Sequence, residues 1–248
     1  MIDVRKDEAK QKVDIGGIEL HYEFFGVKNA NVTMVFDSGY GWDLNNWKTI
    51  RNEVSKFAKM FIYDRAGIGE SGKDDRPRHS KQNVENLRTL LQKVGVKPPY
   101  VLVGHSFGGA NVRLFASEHP EEIAGVILLD SVHEDQNKYM APLFSDKVKE
   151  EYYGQFRFEA SLNEFEESLE QIRETKSLGN IPLLVVTGGT QPYHTPESWI
   201  YWTKFQKELV KLSSNSKHII VNDAGHAIHI DRPDAVIKAL KEMNEIVR

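Results

Sequence analysis

Tyr100-Val101-Leu102-Val103-Gly104-His105-Ser106-Phe107-Gly108-Gly109 is the stretch on which the fold turns. An apolar, β-rich run ends at Gly104, a serine follows two residues later, and a helical pattern begins near Ala110. A strand that passes straight into a helix bends sharply, and the residue at the bend takes strained backbone angles. Glycines two residues on either side let strand and helix approach without a clashing Cβ. The serine oxygen is thereby lifted clear of the sheet. The N–H groups at the start of the following helix favour negative charge developing beside it.

Outward from this turn, short β-rich runs alternate with longer helical patterns, which predicts a parallel sheet built from βα units. Candidate strands are Val32–Phe36, Met60–Tyr63, Tyr100–Val103, Ala124–Leu129, Leu183–Thr187 and Lys217–Val221. Candidate helices are Leu44–Phe57, Ser80–Val94, Gly108–Glu118, Glu197–Leu212 and Pro233–Val247, with Gly95 as a helix stop. Near the N-terminus, Val13–Ile15 and Ile18–Phe24 flank Gly16-Gly17, which predicts a two-residue antiparallel hairpin at a sheet edge. Residues 131–180 break the rhythm with helical periodicity and an acidic balance, as in Leu162–Glu174. A structureless loop of that size is unusual in a compact domain, so an inserted helical cap is expected there, with 1–130 and 181–248 forming the core.

Composition removes several function classes. The 248 residues include no cysteine, which excludes a disulfide framework, thiolate catalysis and cysteine-ligated metals. A formal net charge of −4 offers no general attraction to nucleic acid or to an anionic membrane. The mixed charges of Met1–Lys10 do not resemble an export signal, and no stretch approaches the ~18 apolar residues of a membrane span. A cytoplasmic protein acting on a small molecule, with no cofactor and no metal, is the expectation.

The turn at Ser106 resembles that of the α/β-hydrolase fold family, and other segments extend the resemblance over nearly the whole chain. Tyr63-Asp64-Arg65-Ala66-Gly67-Ile68-Gly69-Glu70-Ser71 is similar to the family's D-x-x-G-x-G-x-S loop, where Asp64 would hold loop amides. Phe36-Asp37-Ser38-Gly39-Tyr40-Gly41-Trp42 stands where the family usually has a His-Gly pair, with serine in the histidine's place. Val221-Asn222-Asp223-Ala224-Gly225-His226, followed by Asp231-Arg232-Pro233, resembles its histidine loop. The resemblance implies Ser106 as nucleophile, His226 as base, and the backbone N–H groups of Tyr40 and Phe107 as an oxyanion hole. The histidine role suits imidazole chemistry, because a serine hydroxyl is barely ionised near neutrality and needs a base that both takes and returns a proton. His229 falls off the pattern.

The acid departs from that pattern. The family usually carries it in a G-x-x-D step, but this chain reads Gly188-Gly189-Thr190-Gln191. A glutamine supplies no negative charge. Asp130, ending the strand Val126–Leu129 at the sheet's carboxyl edge, is the leading substitute, with Glu197 and Asp223 as alternatives. Trp42 and His133 are candidate substrate contacts.

The resulting expectation is a serine hydrolase of the carboxylesterase kind, cleaving a small ester through an acyl-enzyme. The serine argues against haloalkane dehalogenase and epoxide hydrolase chemistry, which use an aspartate nucleophile. An aminopeptidase remains open, with Glu150, Glu151, Glu164, Glu166 and Glu167 as holders of an amino group. So do a lactonase, a C–C hydrolase and a slow-turnover small-molecule receptor.

Overall fold

The computed structural model describes residues 11–28, 30–175 and 177–248. Residues 1–10, read above for an export signal, lie outside them. In chain order the main elements are β1 (Gln11–Asp14), β2 (Glu19–Gly26), β3 (Thr33–Asp37), α1 (Lys48–Val54), β4 (Lys59–Tyr63), α2 (Ser80–Val94), β5 (Tyr100–His105), α3 (Phe107–Glu118) and β6 (Ile123–Leu129). They continue as α4 (Asp146–Gly154), α5 (Leu162–Arg173), β7 (Leu183–Gly188), α6 (Pro196–Val210), β8 (Ser216–Val221), α7 (Ile228–Asp231) and α8 (Pro233–Ile246). Short helical turns occupy Leu44–Trp47 and Gln136–Leu143.

The strands form one eight-stranded sheet in the order β1-β2-β4-β3-β5-β6-β7-β8. β1 and β2 pair antiparallel, as do β2 and β4, and the remaining pairs are parallel. The edge hairpin forms as the Gly16-Gly17 signal predicted. Ile15 N donates to Ile18 O at 2.9 Å, and both glycines take positive φ, +107° and +91°.

Successive side chains of a strand point to opposite faces, so a strand covered on both sides reads as continuously apolar. The central strands follow this rule. Val35, Leu102, Leu128 and Val185 pack under α2, α3 and α5, with Leu87, Phe115 and Leu169 among their neighbours. Their sequence neighbours Phe36, Val103, Leu129 and Val186 pack on the other face with Ile50 of α1 and Leu240 of α8. Expected and observed elements agree to within a few residues. The exception is Leu44–Phe57, which splits into a short turn and α1. His79 caps α2, and Gly95 ends it in the left-handed conformation at φ +78°.

The segment between β6 and β7 is helical. α5 begins with a capping box in which Ser161 and Glu164 satisfy each other's backbone N–H. Its buried face (Phe165, Leu169, Ile172) joins the core formed with α2 and α3. A separate apolar cluster of Met140, Phe144, Trp202 and Phe205 ties the turn before α4 to α6. No described helix is long and apolar enough to cross a membrane.

Candidate active site

Ser106 sits between β5 and α3 with φ +52° and ψ −118°, a conformation that non-glycine residues rarely adopt. Its N–H donates to Leu129 O at 3.0 Å, which pins the bend to β6. The flanking glycines are a steric requirement. A Cβ at Gly104 would lie 2.5 Å from Gly108 O, and one at Gly108 only 2.2 Å from Asp37 O. The bend therefore presses α3 onto the end of β3 and leaves Ser106 partly exposed at the wall of a cavity of about 210 Å³.

His226 borders the same cavity, on the loop between β8 and α7. That loop is held by Gly225 N donating to Asp231 Oδ2 at 2.8 Å and by His105 Nε2 donating to His226 O at 3.0 Å. His226 Nδ1 lies 2.7 Å from Asp130 Oδ2. With Nδ1–H given to a carboxylate, the lone pair is left on Nε2.

Asp130 is fully buried and, like Ser106, has positive φ, +45°. Besides His226, it accepts Gly188 N at 3.0 Å and Gln191 Nε2 at 2.9 Å. Burial pushes its carboxyl above the ordinary range, while the bond from His226 acts in the opposite direction. Gln191 thus occupies the family's usual acid position and reaches the same spot, but as an amide that orients Asp130. The alternative acids lie elsewhere: Asp223 pairs with Arg232 at the surface, and Glu197 is exposed in the first turn of α6.

The 38–41 segment meets the same cavity through Tyr40. Tyr40 and Phe107 both border the cavity, and among the described residues neither backbone N–H has a partner. Arg65 immobilises this segment by donating to Ser38 O at 2.6 Å and Gly39 O at 2.7 Å. The same guanidinium pairs with Asp37 and, at 2.5 Å, with Glu159, whose other oxygen accepts Gly41 N at 2.8 Å. Arg65 and Glu159 were missed as site residues by the sequence reading. Arg65 lies inside a quoted motif, but Glu159 carried no local signal, because it is 94 positions from its partner. Asp64 behaves as expected, accepting Leu44 N, Glu70 N and His21 Nδ1.

Two expected substrate contacts fall outside the cavity lining. Trp42 lies outside the cavity lining, 40% exposed, with its ring beside His105 and His229. His133 also lies outside it, stacked on Phe205 at 4.3 Å between ring centres, with Nδ1 accepting Asp135 N. The lining is instead made by Val132, Met140, Phe144, Phe156, Phe165 and Trp202, with Gln136, Tyr152, Gln155, Tyr193 and His194 as polar members. No charged side chain is among the described lining residues. His119, Glu121 and Glu122 bring three potential metal ligands within 4.8 Å of one another, but beyond the far end of α3 from Ser106 and with Glu122 already paired to Arg88.

Residues 33–163 match the family model described as alpha/beta hydrolase fold. The chain belongs to the alpha/beta hydrolase fold family. Among relatives of this hydrolase is YqjL of Bacillus subtilis (strain 168), an uncharacterised protein. It is 31% identical over 218 residues, covering 87% of this chain and 84% of that one. An esterase from Thermogutta terrifontis superposes with a TM-score of 0.70 at 20% identity, covering 96% of this chain and 100% of that chain. An enol-lactonase from Burkholderia xenovorans LB400 gives 0.69 at 21% identity, covering 94% and 99%. At such identities the two structures establish the alpha/beta hydrolase fold alone.

Proposed function

We propose that this alpha/beta hydrolase is a serine hydrolase that cleaves a small, uncharged carboxylic ester. The observation that carries the reading is the 2.7 Å contact of His226 Nδ1 with buried Asp130, at a cavity that Ser106 also borders. In the proposed cycle His226 Nε2 takes the Ser106 proton as the serine oxygen attacks the carbonyl. The N–H groups of Tyr40 and Phe107 receive the oxyanion; a donor fixed in advance is worth about 3–4 kcal/mol of transition-state stabilisation. His226 then protonates the departing alcohol, and water repeats the sequence on the acyl-enzyme. Asp130 holds the tautomer and stabilises the imidazolium without taking the proton.

An uncharged substrate is supported by the lining, since an ion buried there would meet no countercharge. Residues 131–180 are proposed as the cap, because they supply the cavity wall from Val132 to Phe165. The aminopeptidase alternative loses its support: none of the five glutamates suggested as amine holders borders the cavity. Glu164 is spent on capping α5 and on accepting Arg78 N. A fluorophosphonate probe tests the proposal. Stoichiometric labelling on the Ser106 peptide, lost in Ser106→Ala and slowed in His226→Ala, is the expected result. Labelling that persists in Ser106→Ala would overturn the assignment.

A further inference from the structure

Most of the polar side-chain atoms of the lining residues are already hydrogen-bonded. Gln136 accepts His133 N and donates to Tyr152 OH, and Tyr152 OH in turn donates to Asn137. Tyr193 OH donates to Gln191, Tyr40 OH to Ala160 O, and Gln155 Nε2 to Tyr152 O. Two ring nitrogens differ. His194 Nε2 and Trp202 Nε1 are buried without a hydrogen-bond partner among the described residues. They are also the only such buried side-chain atoms that belong to residues bordering the cavity. The two rings lie 5.9 Å apart, and the Trp202 ring is 6.3 Å from that of His226.

Their hydrogen-bonding sense follows from the neighbours. Ser198 Oγ donates to Thr195 O at 3.1 Å and lies 2.9 Å from His194 Nδ1. In the tautomer where Ser198 gives its hydrogen to Thr195 O and accepts from His194 Nδ1–H, Nε2 of His194 carries a bare lone pair. Burial, reinforced by His226, holds the His194 ring down to about 4, so it is neutral at physiological pH. Trp202 Nε1 is always a donor. In that tautomer the two rings bordering the cavity hold one unpartnered donor and one unpartnered acceptor, both uncharged and both closed to water.

We infer that His194 and Trp202 form a second recognition point in this cavity, which takes a hydroxyl group of an uncharged hydroxylated ester. A hydroxyl both accepts from an indole N–H and donates to an imidazole lone pair. A carboxylate would face the lone pair without a countercharge, and a wholly apolar substrate would leave both nitrogens unpaired. This deepens the ester-hydrolase reading and rests on it for the word ester. The recognition itself is a binding property and is measurable without turnover.

The experiment uses Ser106→Ala and four probes: methyl phenylacetate and its 2-, 3- and 4-hydroxy derivatives, with affinities from calorimetric titration. At least one hydroxylated probe is expected to bind tenfold or more tightly than the parent, because a buried polar group left unpaired penalises the analogue that lacks its partner. That ratio should fall to about one in Ser106→Ala carrying Trp202→Phe, and likewise with His194→Phe. Comparing matched probes on the same protein removes any loss of stability from the replacements. The inference is overturned if none of the three outbinds the parent, or if the advantage survives both replacements. Failure of the hydrolase reading itself would show differently, as ester turnover retained in Ser106→Ala.

Discussion

The bond between His226 Nδ1 and Asp130 determines which nitrogen of the imidazole faces the cavity, and the account of catalysis depends on it. Asp130→Asn keeps the size of the side chain but replaces an acceptor by an amide that also donates, so the ring can settle in the wrong tautomer. A loss of about 10³–10⁴-fold in kcat, with KM changed far less, is expected from steady-state ester kinetics. A loss below tenfold would point to another acid. At this scale the sequence was most informative where chemistry is local: the positions of Ser106 and His226 follow from short motifs with their flanking glycines. Asp130 is legible only as a substitute at the carboxyl edge of the sheet, since Gln191 stands in the usual place, and the Gln191–Asp130 bond joins residues 61 positions apart. The packing of Trp42 and His133 is not legible in the sequence, because composition says that a ring is present but not where it points. One packs beside His105 and the other stacks on Phe205.

Elements bring these residues into register, and two of their contacts make predictions. A methyl group at Gly108 meets the backbone oxygen of Asp37 at 2.2 Å, and backbone cannot step aside as a flexible side chain would. Gly108→Ala should cost at least about 3 kcal/mol in urea unfolding, the upper range for overpacking a close contact. An unchanged midpoint would contradict the packing of α3 on β3. Glu159, between α4 and α5, joins the segment 131–180 to the Tyr40 loop through Arg65 and Gly41 N. Glu159→Gln keeps an oxygen for Gly41 N but removes the charge facing Arg65. The loop should loosen and kcat fall about tenfold with KM little changed, because a misdirected oxyanion donor is felt in the transition state. A rise in KM alone would make Glu159 a substrate-binding feature instead. The order of strands and helices was legible because buried parallel strands are continuously apolar and α2, α3 and α8 carry strong helical patterns. The tertiary tie through Glu159 was not legible, because nothing in the periodicity of residues 131–180 specifies which charge turns inward.

The whole molecule carries several histidines buried in neutral form, and these make its stability depend on pH. His229 is fully buried, its Nε2 donates to Asn46 Oδ1 at 2.7 Å, and it is held down to about 3, chiefly by burial and then by His226. The unfolded chain protonates such a ring near its ordinary 6.5, whereas the folded chain resists until about 3. Between those values the unfolded state binds more protons, so stability rises with pH and is lost on acidification, by up to about 1.4 kcal/mol per pH unit for each such ring. The urea midpoint at pH 5 should lie below that at pH 7, with a shallower dependence in His229→Gln. Equal slopes for the two proteins would contradict this assignment.

Ser106 combines a strained backbone with a place at the cavity that His226 also borders. The most direct measurement is steady-state release of p-nitrophenol from p-nitrophenyl butyrate by the wild type and by Ser106→Ala. The account predicts repeated turnover by the wild type and a loss of at least about 10³-fold in the variant, with both proteins equally folded by circular dichroism. Equal turnover by the two proteins would contradict it.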